Sequence, residues 1–256
     1  MNPMQKKFTL CFLLVMACNL LVINNGMAQV KKTVQQKPKS VKKAVPQQKP
    51  VAAKPVADPS TAGSVRVKII TDSGIVIVKL YDSTPLHRDN FVKLVEQGFY
   101  DSLMFHRVIP GFMIQGGDPL SKNAPAGTML GNGGGDMQRI PAEFRKGLIH
   151  KKGALAAARD GNPEKASSAC QFYLVEGNLV NDEMLNTMEQ RKGMKYTEAQ
   201  RRLYKSIGGT AFLDQDYTVF GEVESGLEVI SKISNVPRDN NNRRFGDVRM
   251  RMEVMK

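Results

Sequence analysis

The chain lacks tryptophan altogether, and its 256 residues include three cysteines, three histidines and 7% aromatic residues. Cys11 and Cys18 fall in an apolar N-terminal run, which leaves Cys170 alone in the rest of the chain. A lone cysteine forms no internal disulfide, so a disulfide scaffold is excluded. Its setting, Ala169-Cys170-Gln171-Phe172-Tyr173-Leu174-Val175, reads as an apolar strand with a small core residue rather than a nucleophile. No internal repeat is visible. The glycine-rich stretch Gly131-Asn132-Gly133-Gly134-Gly135-Asp136 lacks the Gly-Lys-Ser/Thr ending and following helix of a phosphate-binding loop. Met137-Gln138-Arg139-Ile140-Pro141 follows instead, so the stretch reads as a turn-rich surface loop.

Acidic residues are almost absent from the first quarter. Residues 1–63 hold ten lysines and one acid, Asp58, for a net charge of +9, whereas residues 64–256 hold 27 basic and 23 acidic residues and carry +4. The total of +13 is therefore not a nucleic-acid footprint on a folded domain, and no nucleic-acid partner is expected.

Residues 1–28 read as a signal peptide. Lys6-Lys7 precede the apolar run from Phe8 to Ile23, which is shorter than the roughly 20 residues a spanning helix needs, and Gly26-Met27-Ala28 suits cleavage before Gln29. An uncleaved anchor is one alternative. Lipidation at Cys18 in Val15-Met16-Ala17-Cys18 is another, although the apolar residues Leu20 to Ile23 would survive that processing. Residues 29–63 are rich in Lys, Pro and Gln, have no aromatic residue and are broken by Pro38, Pro46, Pro50, Pro55 and Pro59. Such a segment cannot bury a core and reads as a disordered linker. Its eight lysines allow weak contact with an anionic membrane surface, against the simpler reading of a soluble spacer.

The remainder, 64–256, reads as one domain. Val65 to Thr71 and Ile75 to Tyr81 form a hairpin around Asp72-Ser73-Gly74. Thr84-Pro85 opens a helix with Thr84 as N-cap, an apolar face of Leu86, Phe91, Leu94 and Val95, and Gly98 as its stop. His87 on that helix reads as solvated, and His150 lies in a basic loop with no visible partner. The stretch Phe105-His106-Arg107-Val108-Ile109-Pro110-Gly111-Phe112-Met113-Ile114-Gln115-Gly116-Gly117-Asp118 reads as two strands around Pro110-Gly111, with Arg107, Met113 and Gln115 sharing odd parity, although the bend between them breaks any strict count. A cation in so apolar a stretch must find acceptors or face a ligand. Gly153 to Arg159 is a small-residue strand that another chain could approach closely. Residues 181–207 are helical, with Thr197 and Gln200 spaced as a capping box and Gly208-Gly209 as the stop. Tyr217 to Val223 is a strand, Gly226 to Ile233 a short helix and Val248 to Met255 a closing strand. About eight short strands with glycine-rich turns suggest a closed, mainly β barrel.

Residues 65–256 resemble the cyclophilin-type peptidyl-prolyl cis-trans isomerases. The motifs are Phe105 to Asp118, Gln171-Phe172-Tyr173, and Phe212-Leu213-Asp214 with Tyr217-Thr218-Val219-Phe220-Gly221. The resemblance implies a closed eight-stranded antiparallel barrel capped by two helices, with a proline site on its outer face and an extra helical insertion around 181–207. It implies that Arg107 is the catalytic arginine and Gln115 the amide that supports it. Phe112, Met113, Tyr173 and Leu213 would line the proline pocket, with Phe212 and Tyr217 beside it. Gln171 would contact substrate, and Ala158 and Arg159 would line its backbone. Tyr173 stands where many members have Phe, Arg159 where many have Asn, Phe212 where Trp is common and Tyr217 where His is common.

The expected activity is peptidyl-prolyl isomerisation (EC 5.2.1.8) on proline-containing unfolded or exported polypeptides, by a monomer in the periplasm or cell envelope. Rotation of an X–Pro bond needs no nucleophile, metal or cofactor, and it transfers no proton, so His106 reads as structural. The rivals are a non-catalytic chaperone module that holds proline peptides and a surface-binding protein driven by residues 29–63.

Overall fold

A computed structural model describes residues 64–243 and 245–255. The leader expected at 1–28 and the linker expected at 29–63 lie outside the described residues. Among the described residues no helix is long and apolar enough to cross a membrane.

Eight antiparallel strands form one curled sheet, in the order β3-β4-β6-β5-β7-β2-β1-β8. Strands β1 (Arg66–Thr71) and β2 (Gly74–Leu80) make the expected hairpin, with Val67, Ile69, Val76, Val78 and Leu80 alternating into the core. β3 (Arg107–Ile109) turns through Pro110-Gly111-Phe112 into β4 (Met113–Gly116). β5 (Ala154–Ala157), β6 (Phe172–Val175), β7 (Val219–Ser225) and β8 (Met250–Met255) complete the sheet. Phe91, Tyr100, Phe172 and Phe220 meet edge-on or tilted inside it, and Cys170 is buried among them as a core residue.

The sheet is not fully closed, which corrects the expected closed barrel. No ladder joins β3 to β8. Ser102, Leu103 and Phe105, just before β3, make three backbone hydrogen bonds with Val248 and Met250. The reason is local: β3 ends after three residues at Pro110, and the Val108 amide donates to the Asn242 carbonyl at 2.8 Å, so a loop occupies its free edge.

Helices α1 (Pro85–Glu96) and α4 (Leu227–Ser234) pack on the barrel. Two expectations for α1 fail. Thr84 holds the N-cap position before Pro85, as expected, but makes no side-chain cap; its hydroxyl donates to the Tyr81 carbonyl, and the amides of Leu86 and His87 donate to Glu143 at 3.3 and 3.0 Å. His87, not Leu86, completes the buried face. Leu86 is 51% exposed, whereas His87 is buried with Nδ1 2.7 Å from Glu143 and Nε2 3.0 Å from the Ser167 hydroxyl. A carboxylate 56 residues downstream thus makes a histidine a core residue.

The 181–207 region is two helices, α2 (Asp182–Lys192) and α3 (Glu198–Ser206). Asn181 caps α2, Gly193 ends it at φ +61, and Thr197 and Gln200 form the predicted reciprocal capping box. The insertion has its own small core of Ile149, Val180, Leu185, Tyr196, Tyr204 and Ala211. Gly209 permits its docking: at φ +156, a Cβ there would lie 2.3 Å from the His150 carbonyl and 2.6 Å from the Tyr204 ring.

Burial lowers the pKa of His87 and pulls that of His106 down to about 4; neither ring nitrogen of His106 has a well-aligned hydrogen-bond partner among the described residues. The unfolded chain therefore binds more protons than the folded one between pH 4 and 6.5, and stability present above pH 6.5 is lost as pH falls. For His106 the loss from pH 7 to pH 5 is about 2 kcal/mol. Urea titrations should show that drop, and His106→Asn should flatten it; an unchanged slope in the variant would place the proton elsewhere. Gly209→Ala should lower the urea midpoint by more than about 2 kcal/mol equivalent, since a clash adds to an unfavourable φ.

Candidate active site

The barrel register assembles the site. Three neighbouring ladders pair Arg107 with Gln115, Gln115 with Tyr173, and Tyr173 with Ala156. Because side chains alternate along each strand, these partners form a row on the outer face, while Val108, Ile114, Leu174 and Leu155 form the matching row in the core. The three-residue turn preserves parity, so Arg107 and Met113 both face outward, which settles a count that the bend leaves open in the sequence.

A cavity of about 100 Å³ opens on this row. Met113, Tyr173 and Leu213 are its buried walls, Phe112 and Tyr217 its half-exposed sides, and Arg107, Gln115, Ala158 and Arg159 complete it. An enclosed apolar cavity of roughly 150 Å³ takes a benzene-sized guest, so this slot suits one five-membered ring. The alanines of β5 and Ala158 just beyond it make room for it, since Ala154, Ala156 and Ala158 all pack in the outer cluster beneath the site.

The Arg107 guanidinium is half-buried, and among the described residues it has no carboxylate partner. Its one hydrogen bond is to Gln115 Oε1 at 3.3 Å, and it lies 5.7 Å from the Phe112 ring centroid. Burial lowers its pKa, yet an arginine stays charged. Its remaining N–H groups are available at the cavity. Gln115 is fixed in turn: its amide donates to Gln171 Oε1 at 3.0 Å, and Gln171 donates to the carbonyls of Gly131 and Gly133, each at 2.9 Å. The amide orientations follow from this network.

Nine of the eleven site residues expected from sequence line the cavity. Gln171 does not; it is buried, its amide donating to two glycine carbonyls, and it lines the larger neighbouring cavity instead. Phe212 does not either; it is 53% exposed on the rim, its ring 5.5 Å from that of Phe112. Arg159 lies over the Tyr217 ring at 4.7 Å, with Nε donating to the Asp216 carbonyl. A second cavity of about 340 Å³ shares Gln115, Ala158 and Arg159 and extends along the 131–137 loop to Arg139 and Ser168. Sequence reading gave that loop no part in the site. His150 was also missed: it is buried, with Nε2 2.9 Å from the Tyr173 hydroxyl and Nδ1 2.7 Å from Asp214. Among the described residues no group of three or more His, Cys, Asp or Glu is placed to hold a metal.

The family model for cyclophilin type peptidyl-prolyl cis-trans isomerases matches residues 66–254. A protein of Staphylococcus saprophyticus named as a peptidyl-prolyl cis-trans isomerase is 35% identical over 174 residues, covering 66% of this chain and 81% of its own. A Staphylococcus haemolyticus protein of the same name is 33% identical over 172 residues, covering 67% and 81%. The crystal structure of a Cryptosporidium parvum cyclophilin-type isomerase superposes with a TM-score of 0.55 at 22% identity, covering 76% of this chain and 99% of that one. A second structure of that protein, in the presence of the dipeptide Ala-Pro, gives 0.53. With its described residues matched almost end to end by the family model, and with these relatives, the chain belongs to the cyclophilin-type peptidyl-prolyl cis-trans isomerases.

Proposed function

We propose that this isomerase turns X–Pro bonds by donating a hydrogen bond from Arg107 to the prolyl nitrogen, and that its substrates are exported or envelope polypeptides. The observation that carries the first part is a guanidinium without a carboxylate partner among the described residues, held by Gln115 at the mouth of a slot sized for one ring. Peptide rotation is slow because resonance gives the C–N bond partial double-bond character, with a barrier of roughly 18–20 kcal/mol. Twisting the bond localises a lone pair on nitrogen, and a donor aimed at that lone pair acts mainly in the transition state. Arginine suits the task as a planar fork of permanent charge. A module that merely held proline peptides would need the slot but not the cation. Met113, Phe112, Tyr173 and Leu213 grip the ring, and the shared edge at Gln115, Ala158 and Arg159 lets the same polypeptide run on past the second cavity.

The second part rests on sequence: the leader pattern of residues 1–28 and the lysine-rich, proline-broken stretch 29–63. They support an exported protein whose lysine-rich linker spaces the domain from a membrane surface that it contacts weakly.

Arg107→Ala in the full chain should lower kcat/KM for a proline tetrapeptide on the order of a hundredfold, with an unchanged urea midpoint. Arg107→Lys should recover little, because a point charge does not reproduce the fork. Turnover in Arg107→Ala equal to that of the parent would remove the arginine from the mechanism. The intact mass of protein recovered from the producing cell should begin at Gln29; a lipid-modified Cys18 or an untrimmed Met1 would revise the export route.

A further inference from the structure

The Tyr173 hydroxyl is not needed to hold a proline ring. The ring itself forms a wall of the cavity, while the hydroxyl, buried with it, bonds to His150. A buried phenol must find a partner, and here the partner begins a chain of bonds. His150 Nδ1 donates to Asp214 Oδ1 at 2.7 Å, and the His150 amide donates to the same oxygen at 2.8 Å. With Nδ1 carrying the proton, Nε2 accepts from Tyr173. The other oxygen, Asp214 Oδ2, accepts from the hydroxyls of Tyr196 at 2.8 Å and Tyr204 at 2.6 Å. Asp214 and His150 are fully buried, and the three tyrosines are nearly so.

Tyr196 and Tyr204 come from the insertion, the first from the α2–α3 connection and the second from α3. They reach the site along two routes. One runs through the hydroxyls to Asp214, His150 and Tyr173. The other is covalent, because Asp214 follows Leu213, the opposite wall of the slot. Lys192 of α2 adds a hydrogen bond to the Asp214 carbonyl at 2.7 Å. We infer that the 181–207 insertion is a positioning device for the proline slot: Tyr196 and Tyr204 hold the Asp214 carboxylate, Asp214 orients His150, and His150 fixes the Tyr173 ring against the substrate. A buried carboxylate offers its oxygens to these four donors, so loss of a hydroxyl leaves it under-satisfied and frees it to turn.

The inference rests on the assignment of this slot as the proline site, and the test separates the two. In the full chain, Tyr196→Phe, Tyr204→Phe and the double variant keep every ring of the insertion's core and remove only hydroxyls. Proline tetrapeptide turnover, and peptide affinity by NMR titration, are then compared with Tyr173→Phe and with the triple variant. The double variant should lose about fivefold in kcat/KM, the scale of one hydrogen bond, with peptide affinity falling in step. In the Tyr173→Phe background the same two substitutions should have a clearly smaller effect, because the hydroxyl of the first route is gone and only the route through Leu213 is left. Wild-type turnover and affinity in the double variant would overturn the inference and leave the insertion a stabilising element only. An undiminished loss in the Tyr173→Phe background would overturn it as well, by showing that the effect bypasses Tyr173. Should the double variant fail to fold, each single variant gives the same comparison against Tyr173→Phe. Failure of Arg107→Ala to lose turnover would instead count against the catalytic reading, whatever the tyrosine variants do.

Discussion

The site depends on a cation that the fold leaves incompletely paired. Elsewhere in the described structure Arg243 meets Asp247 and Arg201 meets Glu189, while half-buried Arg159 donates to the carbonyls of Asp216 and Asp160. Arg107 has one neutral amide at 3.3 Å and an aromatic face. A half-buried guanidinium in that state carries a desolvation cost that nothing nearby offsets fully, and a hydrogen-bond acceptor arriving in the slot relieves it. The amide relay through Gln115 and Gln171 to two glycine carbonyls aims the charge without neutralising it. A carboxylate in the position of Gln115 would hold the arginine more firmly and compete with substrate for it.

Two further buried polar clusters, built around Glu143 and Asp214, have a common logic. Each places one carboxylate at a junction of elements distant in sequence and surrounds it with donors. Glu143 takes the first free amides of α1 and the His87 ring, tying the helix to the 140–144 and 167 segments. Asp214 ties α3, the 150 loop and the wall of the slot. An apolar core would pack these regions without fixing their rotation, whereas directed bonds fix both.

Much of this was legible in the linear order of residues. Period-two alternation across Phe105 to Asp118 gives Arg107, Met113 and Gln115 a common parity, but the bend leaves their shared face open, and it is the three-residue turn of the fold that keeps them together. The capping box at Thr197 and the stop at Gly98 are local devices, and local devices can be read locally. What escaped reading is set by distant partners. His87 is buried because Glu143 is there, and nothing within a helical turn announces it. Gln171 lies in a motif, but its role as a link depends on the fold of the 131–137 loop. Phe212 stands on the rim because the turn Ala211–Leu213 points Leu213, and not its neighbour, into the slot. The barrel's failure to close depends on a loop near residue 242 that occupies the edge of β3.

That seam bears on how the molecule breathes. Sub-global opening follows the fewest backbone bonds, and the β3–β8 junction has three where its neighbours have full ladders. Arg107 rides on the strand beside this slit. A polypeptide substrate presents two shapes, one with the chain doubled back at proline and one with it running on, and a rigid cleft could mirror one of them only. The cation sits at the end of the sheet that no ladder closes, on a strand with β4 on one side and the loop at Asn242 on the other.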